Sequence, residues 1–152
     1  MASIEPKAVL TQLQKSAPDA IIKVDLDDRA FVFPAGRQLT QLQFLAFRPH
    51  LVRVEAVYAF NHSKAGPELF ELPAEDARDL SRRMVESVYR AQSSQIATRN
   101  TSVSLTVVAN GYILEFGPRE NPTELMLSTG CIWRVCNGLA RAVDMIAPIA
   151  SN

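Results

Sequence analysis

Glycine is sparse, six residues in 152, and no two of them form a Gly-x-Gly. A phosphate-cradling loop needs clustered glycines so that backbone N–H groups can close on the anion, so ATP and dinucleotide folds lose their usual support. Cysteine occurs twice, as Cys131 and Cys136. On one helix the two would differ by about 140° and about 7.5 Å of rise, which does not suit a disulfide. Reduced thiols and a cytoplasmic setting are expected. The only histidines, His50 and His62, fall in turn sequences, so neither zinc-ligand spacing nor a base beside a nucleophile is indicated. No metal and no cofactor are expected. No charge sign dominates, since 16 basic residues meet 16 acidic ones, which removes the simplest argument for a nucleic-acid or anionic-membrane partner. No apolar run approaches the ~18 to 20 residues that span a bilayer, and Met1–Lys7 lacks the basic and apolar regions of a secretory signal. A membrane partner is not expected.

What remains is ordinary globular composition, 47% hydrophobic and 21% charged, without a linker to mark a boundary. One α+β domain over residues 1–152 is expected. Val9, Leu10 and Leu13 give a first helix over about Glu5 to Gln14. Alternation from Ile21 to Leu26, the turn Asp27-Asp28-Arg29 and Ala30 to Phe33 predict a hairpin. Leu39–Phe47 and Leu51–Phe60 form a second pair around Arg48-Pro49-His50, with Val52, Val54, Ala56, Tyr58 and Phe60 on the core face. A short strand, Glu68–Leu72, leads into an amphipathic helix reaching from Pro73 to Ile96. Its apolar stripe is Ala77, Leu80, Met84, Val88 and Ala91, and its opposite face carries i, i+4 charge pairs. That stripe is either a core face or the seam of a homodimer, and it is the candidate interaction surface.

Val103 to Val107 and Tyr112 to Phe116 predict a hairpin around Asn110-Gly111, a pair suited to a type I′ turn. Thr123–Leu127 precedes a last helix that Ser128 or Thr129 can cap. The sum is about seven largely antiparallel strands and three helices. Leu80, Met84 and Val88 fall on Val135, Leu139 and Val143 when the halves are overlaid, which fits either a duplicated β-β-α unit or two similar solutions to one packing problem.

Candidate chemistry is thin. Asp25-Leu26-Asp27-Asp28 after an apolar run resembles the first motif of haloacid-dehalogenase-type phosphotransferases, whose paired carboxylates hold a metal and attack phosphorus. Arg29 and Ala30 depart from that motif, and Asp is also a favoured turn residue. Cys131 at the start of the last helix is a candidate reactive thiol, because the helix dipole favours a thiolate there; packing is the competing role. Arg37, Arg48, Arg53 and Arg99 are candidate anion contacts near strand ends, and they carry the nucleic-acid alternative. Cys131, Tyr58, Tyr112 and Arg134 are the polar groups available if a small enzyme or ligand binder keeps a pocket between sheet and helices.

The order helix, strands, long helix, hairpin, helix resembles that of small type III secretion chaperones. The resemblance implies pairing through a helix and capture of an unfolded partner segment along the sheets. The leading expectation is a non-enzymatic accessory or adaptor protein, an assembly subunit or chaperone-like protein, acting through protein partners and as a homo-oligomer.

Overall fold

The structure, a computed structural model, describes residues 17–34, 36–59, 68–97, 102–116 and 122–146. The strands among them are β1 (Ala20–Asp25), β2 (Phe31–Phe33), β3 (Arg37–Phe47), β4 (Leu51–Tyr58), β5 (Glu68–Pro73), β6 (Ser94–Ala97), β7 (Ser102–Val108), β8 (Gly111–Phe116) and β9 (Thr123–Ser128). The helices are α1 (Ala74–Arg90) and α2 (Thr129–Ile146). All paired strands run antiparallel, so the chain belongs to the α+β class. The helix expected over Glu5 to Gln14 lies outside the described residues, as does Phe60.

The sheet has nine strands, in the order β5-β4-β3-β2-β9-β8-β7-β6, with β1 also on β3. Period-two burial produces this order: Val52, Val54 and Ala56 of β4, and Val103 and Leu105 of β7, turn inward between more exposed neighbours. The inward residues meet the apolar stripes of both helices in a core that takes side chains from both halves of the chain. Phe70 of β5 stacks on Phe116 of β8 with ring centroids 3.8 Å apart, joining the halves. The succession of three antiparallel strands and a helix occurs twice, as β3-β4-β5-α1 and β7-β8-β9-α2. Val52 opposite Leu72 in the first matches Tyr112 opposite Leu127 in the second.

The structure differs from the sequence expectation in three places. First, β1 and β2 do not pair with each other. Both lie antiparallel along the same side of β3, β1 against Gln41–Ala46 and β2 against Arg37–Gln38. They are successive pieces of one run, interrupted by a turn closed by Ala30 N–H to the Asp27 carbonyl at 3.3 Å. The acidic tripeptide bulges out of a strand and does not reverse it. β2 then pairs β9 on its other side and bridges the two halves.

Second, the hairpin between β7 and β8 turns at Ala109-Asn110, because Val108 pairs Gly111. Among the described residues only Gly36 and Ala91 have positive φ, so this is not the type I′ turn that Asn110-Gly111 suggested. Gly111 is needed for another reason: a Cβ there would overlap the Leu127 carbonyl oxygen across the β8–β9 ladder.

Third, α1 stops at Arg90 rather than continuing to Ile96. Ala91 takes the left-handed conformation (φ 52°), its N–H bonds the Val88 carbonyl, and the Gln92 N–H bonds the Ser87 carbonyl. This is a Schellman stop made without glycine. The polar run after it offers no apolar helical spacing, and Ile96 reaches the core from β6, a strand the sequence did not reveal.

Candidate functional site

The bulge between β1 and β2 abuts the start of α2. Ser128 caps that helix: its Oγ accepts the Cys131 N–H at 3.3 Å, and its hydroxyl donates to Asp27 Oδ2 at 2.5 Å. The Asp27 N–H points to Cys131 Sγ at 3.3 Å, and the Arg29 N–H donates to Asp27 Oδ1 at 3.0 Å. Two candidates far apart in sequence, Asp27 and Cys131, are therefore in contact. The Ser128 hydroxyl is the main cause that holds the Asp27 carboxyl below its ordinary range. Partial burial opposes it, and the Arg29 N–H, the Cys131 thiol and the Arg29 charge add to the lowering.

A carboxylate stabilised in this way is a weak proton acceptor. Cys131 is 1% exposed and its sulfur receives a backbone N–H. The cluster completes a helix cap more directly than it assembles a nucleophile. Burial pushes the Cys136 thiol up to about 11. The other acidic residues of the run make separate contacts. Asp25 Oδ1 accepts Gln41 Nε2 at 2.9 Å, and Asp28 offers its carbonyl to Gln38 Nε2 at 3.2 Å. Among the described residues no group of three or more His, Cys, Asp and Glu could hold a metal ion. The carboxylate pair of the phosphotransferase resemblance, Asp25 and Asp27, is engaged by two different partners, Gln41 and Ser128.

A groove of about 310 Å³ lies beside this cap, between β1 and α2, lined by Ile22, Lys23, Val24, Asp25, Arg134, Asn137, Gly138 and Arg141. Gly138 creates it. A Cβ at that position would overlap Val24 Cγ2 and crowd the Phe44 ring, so only glycine lets α2 pass this close to β1. Arg134 Nη1 donates to the Asp25 carbonyl at 3.2 Å. Three cationic side chains, Lys23, Arg134 and Arg141, line the groove against one carboxylate, Asp25. Ile21 at the start of the edge is 50% exposed, and Trp133, one turn from Asn137, is 45% exposed.

The remaining candidates do not gather into a site. Ala77, Leu80, Met84 and Val88 are at most 4% exposed. The α1 stripe is therefore a core face in this structure and not an open interaction surface; Ala91 is exposed past the end of the helix. The large apolar residues that α1 exposes are Val85 and Tyr89. Arg37 lies over the Tyr58 ring at 4.6 Å, whereas Arg53 pairs Glu71 at 2.9 Å and lies 5.0 Å from the centre of the Phe47 ring. Arg48 offers its backbone N–H to Asp19 beyond the far end of β3 from Arg37. Arg99 lies outside the described residues. These arginines brace a strand at both ends and do not form one anion site. Between sheet and helices there is a cavity of about 10 Å³ lined wholly by apolar residues, roughly the room of one water probe. Tyr58, Tyr112, Cys131 and Arg134 do not line it.

Sequence reading missed Lys23, Asn137 and Arg141. The signal was present in part, as the i, i+3, i+7 spacing of Arg134, Asn137 and Arg141 on the polar face of α2. Their strand neighbour is set only by the fold.

No known protein family matches the chain, and no curated protein matches it. The chain is similar to a solved structure from work relating mutations in SsgB to longitudinal cell division during sporulation of Streptomyces coelicolor. The identity is 11% and the TM-score 0.45, over 88% of this chain and 92% of that one. Likeness of that degree carries no argument about what this chain binds or does.

Proposed function

We propose that this chain is a non-enzymatic interaction protein, an accessory or assembly subunit that works through protein–protein contact. The observation that carries the reading is the basic groove running along the edge of β1, whose two elements also expose large apolar residues, Ile21 on β1 and Trp133 on α2. A sheet edge bordered by apolar and charged side chains suits macromolecular contact. The shared core supports a single domain, and the repeated strand-strand-strand-helix order supports duplication of a smaller unit. The two buried free thiols, Cys131 and Cys136, suit a reducing cytoplasmic compartment. Homo-oligomerisation and chaperone-like capture of a partner segment belong to the same reading. The groove, rather than the α1 stripe, is the surface on which capture of a partner segment would rest.

A photo-crosslinking residue at position 21, in the full chain expressed in its native host, tests the reading. A discrete protein adduct, absent when the same residue replaces exposed Arg82, is the expected result. Crosslinks to small molecules alone, or the same adducts from both positions, would overturn it.

A further inference from the structure

The backbone of β1 has a definite phase. The Leu26 N–H donates to the Thr40 carbonyl at 2.9 Å, and Leu26 continues the register in which Val24 opposes Leu42 and Ile22 opposes Phe44. In an antiparallel ladder the hydrogen-bonding direction alternates along a strand. The even-numbered residues therefore turn their N–H and C=O groups to β3, and Ile21, Lys23 and Asp25 turn theirs outward. The Asp25 carbonyl shows this directly, since it is met from outside by Arg134. Among the described residues no strand pairs with this outer side. A row of outward amide groups is a template for one more strand.

The side chains around the template are charged in one sense. A strand added at this edge would turn every second side chain to the face that carries Ile22 and Val24, which is the face packed under α2. Those side chains would lie beside Arg134, Asn137 and Arg141. None of the ion pairs between described residues involves Lys23, Arg134 or Arg141, and Asp25 is already engaged by Gln41. A second copy of β1 fits poorly: antiparallel pairing centred on Lys23 would set two lysines opposite each other and bring two sets of arginines together, and like charges in that position destabilise a ladder.

We infer that the outer edge of β1 takes up an extended, acidic segment of a partner protein as an added strand, with carboxylates at alternate positions held by Arg134 and Arg141. This rests on the interaction reading above and names the chemistry of the partner. Main-chain hydrogen bonds to Ile21, Lys23 and Asp25 supply affinity, and the arginines supply selection and register.

Selection of a displayed random dodecapeptide library on the immobilised full chain tests the inference. The enriched peptides are expected to carry Asp or Glu at alternate positions and to lack proline at the pairing positions. As synthetic peptides they should slow amide exchange at Ile21, Lys23 and Asp25. Arg134→Glu with Arg141→Glu should weaken their binding by at least about tenfold. Lys23→Pro removes an outward N–H without touching the β3 ladder, so it should also abolish binding; if that variant fails to fold, the charge reversal decides. Several results would overturn the inference: no enriched peptides, enrichment of basic or helical ones, binding indifferent to the charge reversal, self-association through β1 in sedimentation, or equal displacement of the peptides by single-stranded DNA. A protein adduct at position 21 whose captured segment is not acidic would sink this inference and leave the interaction reading standing. Absence of any protein adduct would sink both.

Discussion

Ser128 serves two neighbours at once, accepting from the Cys131 N–H and donating to Asp27. Ser128→Ala removes both bonds, and loss of a cap of this kind costs about 1 kcal/mol, within a range of about 0.5 to 2. Urea unfolding checks it. Asp27 adds a pH dependence whose sign is fixed by its lowered pKa. The unfolded carboxyl titrates near about 3.9, so the stabilisation is complete above that value and is lost as pH falls through the folded pKa. Asp27→Asn should therefore be less stable than the parent near neutral pH, and the two urea midpoints should converge at acid pH. A constant gap across that range would show that the Ser128 contact does not titrate with Asp27. The thiols are the other residue-scale test. Cys131 and Cys136 are 1% and 2% exposed, and burial holds Cys136 protonated at neutral pH. Alkylation of native protein should follow the unfolding equilibrium and become stoichiometric only in denaturant. Rapid native modification of Cys131, read by mass spectrometry, would make it a reactive thiol after all.

Each helix has one position where its packing is most exposed to test. On α2 it is Gly138. Helix propensity alone favours Gly138→Ala by up to about 1 kcal/mol. The new methyl, however, would meet Val24 and Phe44, which are held in the sheet, and overpacking of this kind costs about 1 to 3 kcal/mol. Packing should win, giving a lower thermal midpoint and a loosened β1, seen as faster amide exchange in β1. On α1 the position is Met84, 1% exposed. Met84→Lys places an ammonium in the core, and the pKa depression of a buried lysine, up to about 3 to 5 units, corresponds to about 4 to 7 kcal/mol. Against a total stability of about 5 to 15 kcal/mol, this removes about a quarter of it or more, so the urea midpoint followed by circular dichroism should fall steeply. Tyr89→Ser on the same helix changes a residue that is 81% exposed and should shift stability by less than about 0.5 kcal/mol. A folded Met84→Lys monomer would instead restore the dimer-seam reading of the stripe.

At the scale of the molecule, β2 pairs both β3 and β9, and the two helices pack on each other over a core drawn from both halves. Neither half closes its own core. Unfolding should therefore be one cooperative event despite the repeated architecture. Trp133 is the sole tryptophan and lies on α2, so its fluorescence should report the same urea midpoint as far-ultraviolet circular dichroism, which averages both halves. Two separated midpoints would show that the halves fold independently. The groove also belongs to this scale, because β1 comes from the first half and Arg134 and Arg141 from the last helix. Any partner seated there should raise the stability of the whole fold through linkage.

The class of the fold was legible because periodicity is local. Alternation around Val52 to Ala56 and the 3.6-residue stripes through Leu80 to Val88 and Ile132 to Ile146 determine by themselves which segments are strands and helices. The halt of α1 at Ala91 and the strand at Ile96 were not legible, since the stop is made by an alanine forced into the left-handed conformation and Ile96 is an isolated apolar residue in a polar run. Pairing is where local reasoning failed. A turn-forming Asp27-Asp28-Arg29 is compatible with a hairpin and with a bulge in a continuing strand, and the long partner β3, which can hold both pieces in register, decides between them. Of the site, the sequence by itself marked Asp27, Cys131 and Arg134 as chemically capable groups. Only the tertiary structure decided that Asp27 meets the Ser128 cap of α2 and that Arg134 stands beside Lys23 and Arg141. The physical reason is that β1 and α2, more than 100 residues apart in sequence, share one core, and the missing Cβ at Gly138 permits the close approach.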